Sequence, residues 1–247
     1  MNQKNKLKEL MDEAIKGATH IVSSPDVIKK MVDQGLPIQK KFIKYEDYIE
    51  TLFEKKKNGA LDLATQLPQL DETIADGVIS EIFEEIRDSH ILGIFSASIT
   101  NAILLLEYAM RSRLYNERLK SNPKTEWSDL EKLDMDALIQ NLFRLKILSG
   151  EEKIGLANFS KTFRNPYFHI NMHKLTKDMV IERLPGVNIH TLEKIEMRDV
   201  KVSDHKFLWF AAKRVLDKFQ AKGVIHYCVN WTNRLLGKEL KTDVSPQ

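Results

Sequence analysis

Apolar residues recur along this chain at steps of three and four, the spacing that lines one face of an α-helix. In GLPIQKKFIKYEDYIETLFEKKKNG they fall at Ile38, Phe42, Ile43, Ile49, Leu52 and Phe53, predicting a helix that ends at Asn58 and Gly59. Before it, SSPDVIKKMVDQG reads as a helix with Ser24 as N-cap, Pro25 at the first helical position and Gly35 as its close. DETIADGVISEIFEEIRDSH predicts another, leading into a long apolar helix from Ile91 to about Leu119. After a loop at Asn122-Pro123, Ser128 with Glu131 and Ser149 with Glu152 have the spacing of capping boxes, opening DLEKLDMDALIQNLFRLKIL and EEKIGLANFSKTF. Pro185-Gly186 and the alternation in DVKV predict an irregular segment or short hairpin between Met179 and Val202. Ser203 is expected to cap a last helix closed by Gly237, with Gly223 as a place where it bends or breaks. The fold class is therefore all-α.

Composition narrows the setting. At 247 residues the chain can bury a sizeable core without help from disulfides or metals, and its one cysteine, Cys228, can form no intrachain bridge. Cys228 reads as a small core residue. The longest uncharged run, Ile91 to Leu106, is shorter than a bilayer span and carries Ser96, Ser98, Thr100 and Asn101, so no membrane segment is expected and a cytoplasmic location is. The start of the chain, MNQKNKLKELMDEAIKG, alternates charge and does not resemble a secretory signal.

Net charge is only +3, which argues against a general nucleic-acid coat protein, but its distribution is uneven. Lys plus Arg against Asp plus Glu runs 13 to 17 over residues 1–90, 16 to 14 over 91–200 and 9 to 4 over 201–247. From Arg144 to Lys177 seven cations face only Glu151 and Glu152, which suggests either a local anion site or a solvated helix face.

Within that stretch lies NFSKTFRNPYFHINMHK. At about 100° per residue, Leu156, Phe159, Phe163, Tyr167 and Ile170 share the core side, while Asn158, Thr162, Asn165, His169 and Met172 form a second stripe. Pro166 lacks an N–H and would clash with the carbonyl of Thr162 in a straight helix. Either the helix kinks there, or a new one starts with Asn165 as N-cap and Pro166 at its first position. Both solutions free backbone groups beside Arg164 and His169.

The order of elements resembles the HEPN superfamily (higher eukaryotes and prokaryotes nucleotide-binding), helical domains many of which are metal-independent endoribonucleases. SASITNAILLLEYAMRSRL is similar to the family's first long helix, ALIQNLFRLKILSGEEKIGLANFSKTFRNPYFH to its second and third, ending in an Arg-polar-x-x-x-His signature, and the helix after Ser203 to its last. Chance alone gives about 0.85 matches to the loose Arg-to-His spacing, and three occur: Arg164 to His169, Arg183 to His190 and Arg198 to His205. The stricter RNxxxH form is expected about 0.015 times, and Arg164 alone satisfies it.

The resemblance implies a HEPN-like bundle over residues 89 to 240, an N-terminal helical extension of unnamed role over 1 to 88, and a disordered tail from 241 to 247. It implies catalytic roles for Arg164, Asn165 and His169: His169 as proton carrier, Arg164 on the phosphate, and Asn165 orienting His169 or the phosphate. Arg111, on a helix bordering the implied cleft, and Lys161 and His173 beside the motif are the candidate RNA contacts. Two motifs facing each other across a homodimer, and an antitoxin-like or inhibitor protein as partner, are also implied. No cofactor and no metal is expected. The alternative reading is a non-catalytic nucleotide- or protein-binding copy of the fold.

Other constellations have plainer readings. His169 and His173 stand four apart, a spacing that can bind a metal, but only Asp178 lies nearby as a further ligand. Glu107 and Arg111 read as an ordinary helix ion pair worth a few tenths of a kcal/mol. Phe207, Trp209, Phe210 and Phe219 follow helical periodicity with Leu208 and Val215 and are expected in the core rather than as a base-stacking platform.

Overall fold

The structure is a computed structural model that describes residues 45–74, 76–169, 171–187 and 194–237. The expected helix from Ser24 to Gly35, the start of the one after it, His190 of the loose Arg183 match and the tail from 241 to 247 lie outside the described residues.

The described chain is mostly helical. Helix α1 spans Tyr45–Ala64, α2 Gly77–Ile91, α3 Phe95–Ser121, α4 Trp127–Glu131, α5 Met135–Arg144 and α6 Gly150–Phe159. A π-helical turn, Ser160–Arg164, follows, and then the short helices α7 (Asn165–Phe168) and α8 (Met172–Thr176). Strands β1 (Val180–Val187) and β2 (Lys194–Lys201) and a 3-10 turn (Val202–Asp204) precede α9 (Lys206–Leu236).

Helix α3 is the centre because its first sixteen residues, Phe95 to Met110, carry a single charge and are apolar nearly all round. Ile99, Ala102, Ile103, Leu106, Met110 and Leu114 are buried along one side and Leu105 and Ala109 beside them. It packs most extensively on α9 and α2, and α5 closes a third side. Ile79 and Ile86 of α2 belong to the same core as Leu138, Leu142, Leu156, Val224 and Val229. The α2–α3 turn bends sharply at Gly93, whose φ of 66° is the left-handed region that a side chain disfavours.

The hairpin is formed, with Ile181 opposite Val200 and Leu184 opposite Met197. Two strands alone are marginal in water. Here Met179, Ile181, Leu184, Val200 and Val202 pack onto Leu208, Ala212, Val215 and Leu216, so the first half of α9 supports the hairpin and its second half supports the main core.

Several expected boundaries move. Helix α1 runs through Asn58 and Gly59 to Ala64, since Gly59 meets nothing and costs the helix only propensity. The Ser149–Glu152 capping box is present, with both reciprocal bonds made. Ser128 caps nothing: it sits inside α4 with its hydroxyl on Glu126, and Asp134 caps α5 by accepting from the Ala137 N–H at 2.8 Å. Helix α4 ends at Glu131, and Asp134 stands three residues before the Ala137 N–H that its carboxylate reaches. Ser203 lies in the 3-10 turn, where its hydroxyl turns to Asp204, and α9 begins at Lys206. Gly223 neither breaks nor ends α9, which spans 31 residues in all.

Candidate functional site

The proline is not accommodated by a fresh helical start at Asn165. Residues Ser160–Arg164 open into a π turn, so the Asn165 N–H donates to the carbonyl of Ser160, five residues back. The wider turn relieves the clash that Pro166 would make in a straight α-helix. Asn165 has helical φ and ψ of −63° and −45°, so it is not an N-cap, and Pro166 sits in the first turn of α7 where its missing N–H costs nothing.

The turn aims Arg164 inward across the molecule. Its Nε donates to Glu107 Oε1 at 2.8 Å, its Nη1 donates to Asn165 Oδ1 at 3.1 Å, and the guanidinium lies 5.0 Å from the centre of the Phe168 ring. Glu107 also accepts from Arg111 Nη2 at 3.2 Å, and that nitrogen donates to the Leu133 carbonyl at 3.1 Å. Glu107 is only 3% exposed, whereas both arginine side chains keep about a fifth of their surface. Two guanidinium groups therefore share one buried carboxylate, leaving one positive charge uncompensated within the cluster. Asn165, with its carbonyl oxygen engaged, has its amide N–H groups left to donate.

Tyr167 anchors the same turn to α9. Its hydroxyl donates to Asp217 Oδ1 at 2.7 Å, and Asp217 Oδ2 accepts from Lys213 Nζ at 2.6 Å. Lys213 also donates to Ser96 Oγ at 2.7 Å and lies 4.8 Å from the centre of the Tyr167 ring. Burial, and then the Asp217 charge, push the Tyr167 phenol far above the usual tyrosine range, so it stays a neutral donor.

His169 ends α7. Its N–H donates to the Asn165 carbonyl at 3.0 Å, its φ of −95° and ψ of 8° leave the helix, and its side chain is exposed. The polar stripe is thus largely as expected, with Asn158, Thr162 and His169 exposed and Asn165 half-buried. Met172 departs from it: the break after His169 rotates α8, and Met172 turns into the core. The same break ends the i, i+4 relation of His169 to His173. His173 is exposed on α8 and Lys161 is exposed on the π turn. Among the described residues no group of three His, Cys, Asp or Glu side chains converges as metal ligands would.

Arg111 makes the i, i+4 ion pair with Glu107 expected from the sequence, and the same nitrogen donates to the Leu133 carbonyl, so it braces Arg164 through the shared carboxylate with about a fifth of its side chain exposed. Glu107 itself was legible only as a local ion pair; the one hint of more was a carboxylate set inside AILLLEYAM. A cavity of about 590 Å³ between Phe143, Lys146, Ser149, Glu152 and Arg234 lies at the α5–α6 turn and includes none of the motif residues. No protein-family model matches this chain, and no curated protein and no solved structure matches it either.

Proposed function

We propose that the RNPYFH turn is a metal-independent RNA-cleaving centre of HEPN type, with Arg164, Asn165 and His169 as its working residues. The observation that carries the reading is the fixed, part-exposed Arg164 guanidinium, held by Glu107 and Asn165 one turn before an exposed imidazole. A guanidinium whose Nε and Nη1 are already engaged is pre-oriented, and such donors stabilise developing phosphate charge without reorganising.

In the proposed reaction a ribose 2′-hydroxyl loses its proton and its oxygen attacks the adjacent phosphorus. The P–O5′ bond breaks, the 5′ oxygen gains a proton, and a 2′,3′-cyclic phosphate remains. His169 carries a proton in one of these transfers, since imidazole is the side chain suited to both directions near neutral pH. Arg164 and the Asn165 amide stabilise the charge on the nonbridging oxygens. A second histidine is supplied by the other copy in a homodimer, and an inhibitor protein covering the turn would hold the activity in check.

A second reading has its own support. The tie between Arg164 Nε and the buried Glu107 is what a structural ion pair needs, and on that account the turn belongs to a protein- or nucleotide-binding module. Labelled single-stranded RNA incubated with the wild type, His169→Ala and Arg164→Ala, with and without EDTA, separates the two. The proposal expects cleavage that persists in EDTA, loss of turnover but retention of binding in His169→Ala, and loss of both in Arg164→Ala. Equal cleavage by the wild type and His169→Ala, or none by any of them, would reject it in favour of the module.

A further inference from the structure

Outside the motif, the first half of α9 is strongly one-sided in charge. The helix carries Lys206, Lys213, Arg214, Lys218, Lys222 and Arg234 against a single carboxylate, Asp217, which is buried and bound by Lys213. Several cations elsewhere stand within ion-pair reach of carboxylates, as in Lys57–Glu54, Arg87–Glu84, Lys120–Glu117 and Lys132–Asp129. Arg214, Lys218 and Lys222 are exposed and have no carboxylate partner among the described residues.

These cations follow Phe210 at steps of four, so they form one ridge that winds about 40° per step and covers about 18 Å of helix. Phe210 is 75% exposed, against the expectation that it packs in the core. The positions around it explain this: Leu208, Ala212 and Val215 take the inward face, and Trp209 turns its indole N–H to the Val202 carbonyl. A fourth cation reaches the ridge from α1. Lys56 donates to the Gly93 carbonyl at 3.3 Å, and Lys213 holds Ser96 three residues further on, so α1, the α2–α3 turn and α9 meet here. Burial chiefly, and then the charges of Arg214 and Lys55, lower the ammonium pKa of Lys56.

We infer that this ridge, Phe210, Arg214, Lys218 and Lys222 with Lys56 beside it, is a binding track for single-stranded RNA. Cations spaced along an exposed helix face are placed to meet successive phosphates, and an exposed ring offers a stacking platform that accepts any base. One aromatic among cations is too little apolar surface for a helix lying in a membrane interface. The inference deepens the proposed function, because Lys213 and Tyr167 join the track to the RNPYFH turn through Asp217. It assigns where RNA is held, not where it is cut.

The test measures binding without cleavage, using the full chain with His169→Ala and a fluorescein-labelled 12-nucleotide oligouridylate in a polarisation assay across a salt series. Phe210→Ala should weaken binding roughly 5- to 100-fold, from the usual worth of one stacked base, while Phe210→Tyr stays within about twofold of its parent. Arg214→Gln with Lys218→Gln should reduce the slope of log affinity against log salt by about 1.4, or about 0.7 per lost phosphate contact. Circular dichroism checks folding, and truncating so exposed a ring leaves no core cavity. Unchanged affinity and slope in these variants, or no RNA binding by the parent, would overturn the track. So would phosphatidylserine vesicles that bind more tightly than RNA and are lost in the same variants. Failure of wild-type cleavage with the track intact would instead overturn only the catalytic reading.

Discussion

Replacing Glu107 with Gln removes the negative charge between two guanidinium groups while keeping the shape of the side chain. Removing one partner of a buried ion pair costs about 3–5 kcal/mol when the other charge is left without solvent. Arg164 and Arg111 keep 19% and 20% of their side-chain surface, so water can reach them, and the expected cost falls to about 2–3 kcal/mol. For a folded unit of this size that corresponds to a melting temperature lower by about 4–12 °C. Arg164→Ala should cost less, because Glu107 retains Arg111 at 3.2 Å. Urea unfolding of the wild type, both single variants and the double variant gives the coupling between the two positions, expected at about 1 kcal/mol or more for groups in direct contact. A Glu107→Gln protein within about 0.5 kcal/mol of the wild type, or a coupling near zero, would refute the account of how the RNPYFH turn is held.

His90 is 1% exposed and neither of its ring nitrogens has a hydrogen-bond partner, while its ring meets Phe95 edge-on at 5.4 Å. Burial, then His226, lower its pKa, so the folded state resists protonation that the unfolded chain accepts below about 6.5. Its contribution is therefore fully present above that value and is lost as pH falls towards the lowered folded one. Urea midpoints at pH 7.5 and 5.5 should drop further in the wild type than in His90→Leu, and equal drops would contradict this. Asp134→Ala should cost about 0.5–2 kcal/mol by loss of the α5 cap, whereas Ser128→Ala should stay within about 0.5 kcal/mol; thermal melts ranking them the other way would restore the cap expected from the sequence.

Periodicity made the helices around Leu106, Leu142 and Leu156 legible, because a helix face needs only local spacing. The Ser149–Glu152 box was legible for the same reason: its two bonds close within four residues. Ser128 failed because two carboxylates nearby competed to end or begin a helix, and sequence spacing does not rank them. The π turn was half legible, since Pro166 announced a break without saying which carbonyl would be spared. What could not be read was contact at long range. Glu107 and Arg164 are 57 positions apart, Tyr167 and Asp217 are 50 apart, and the packing of α3, α6 and α9 decides both. Phe210 read as core because it ends the apolar run Phe207 to Trp209, yet Lys206, Lys213 and Arg214 stand at helical spacing from it and the hairpin covers only one side of α9.

The central claim, that the RNPYFH turn cuts RNA through its own 2′-hydroxyl, is tested most directly with an oligodeoxynucleotide carrying a single ribonucleotide, incubated in EDTA and analysed for its end groups. The account predicts one cut, 3′ to the ribonucleotide, leaving a 2′,3′-cyclic phosphate and a 5′-hydroxyl, with the product absent for His169→Ala. Cuts at deoxynucleotide positions, or products ending in a 3′-hydroxyl and a 5′-phosphate, would contradict it.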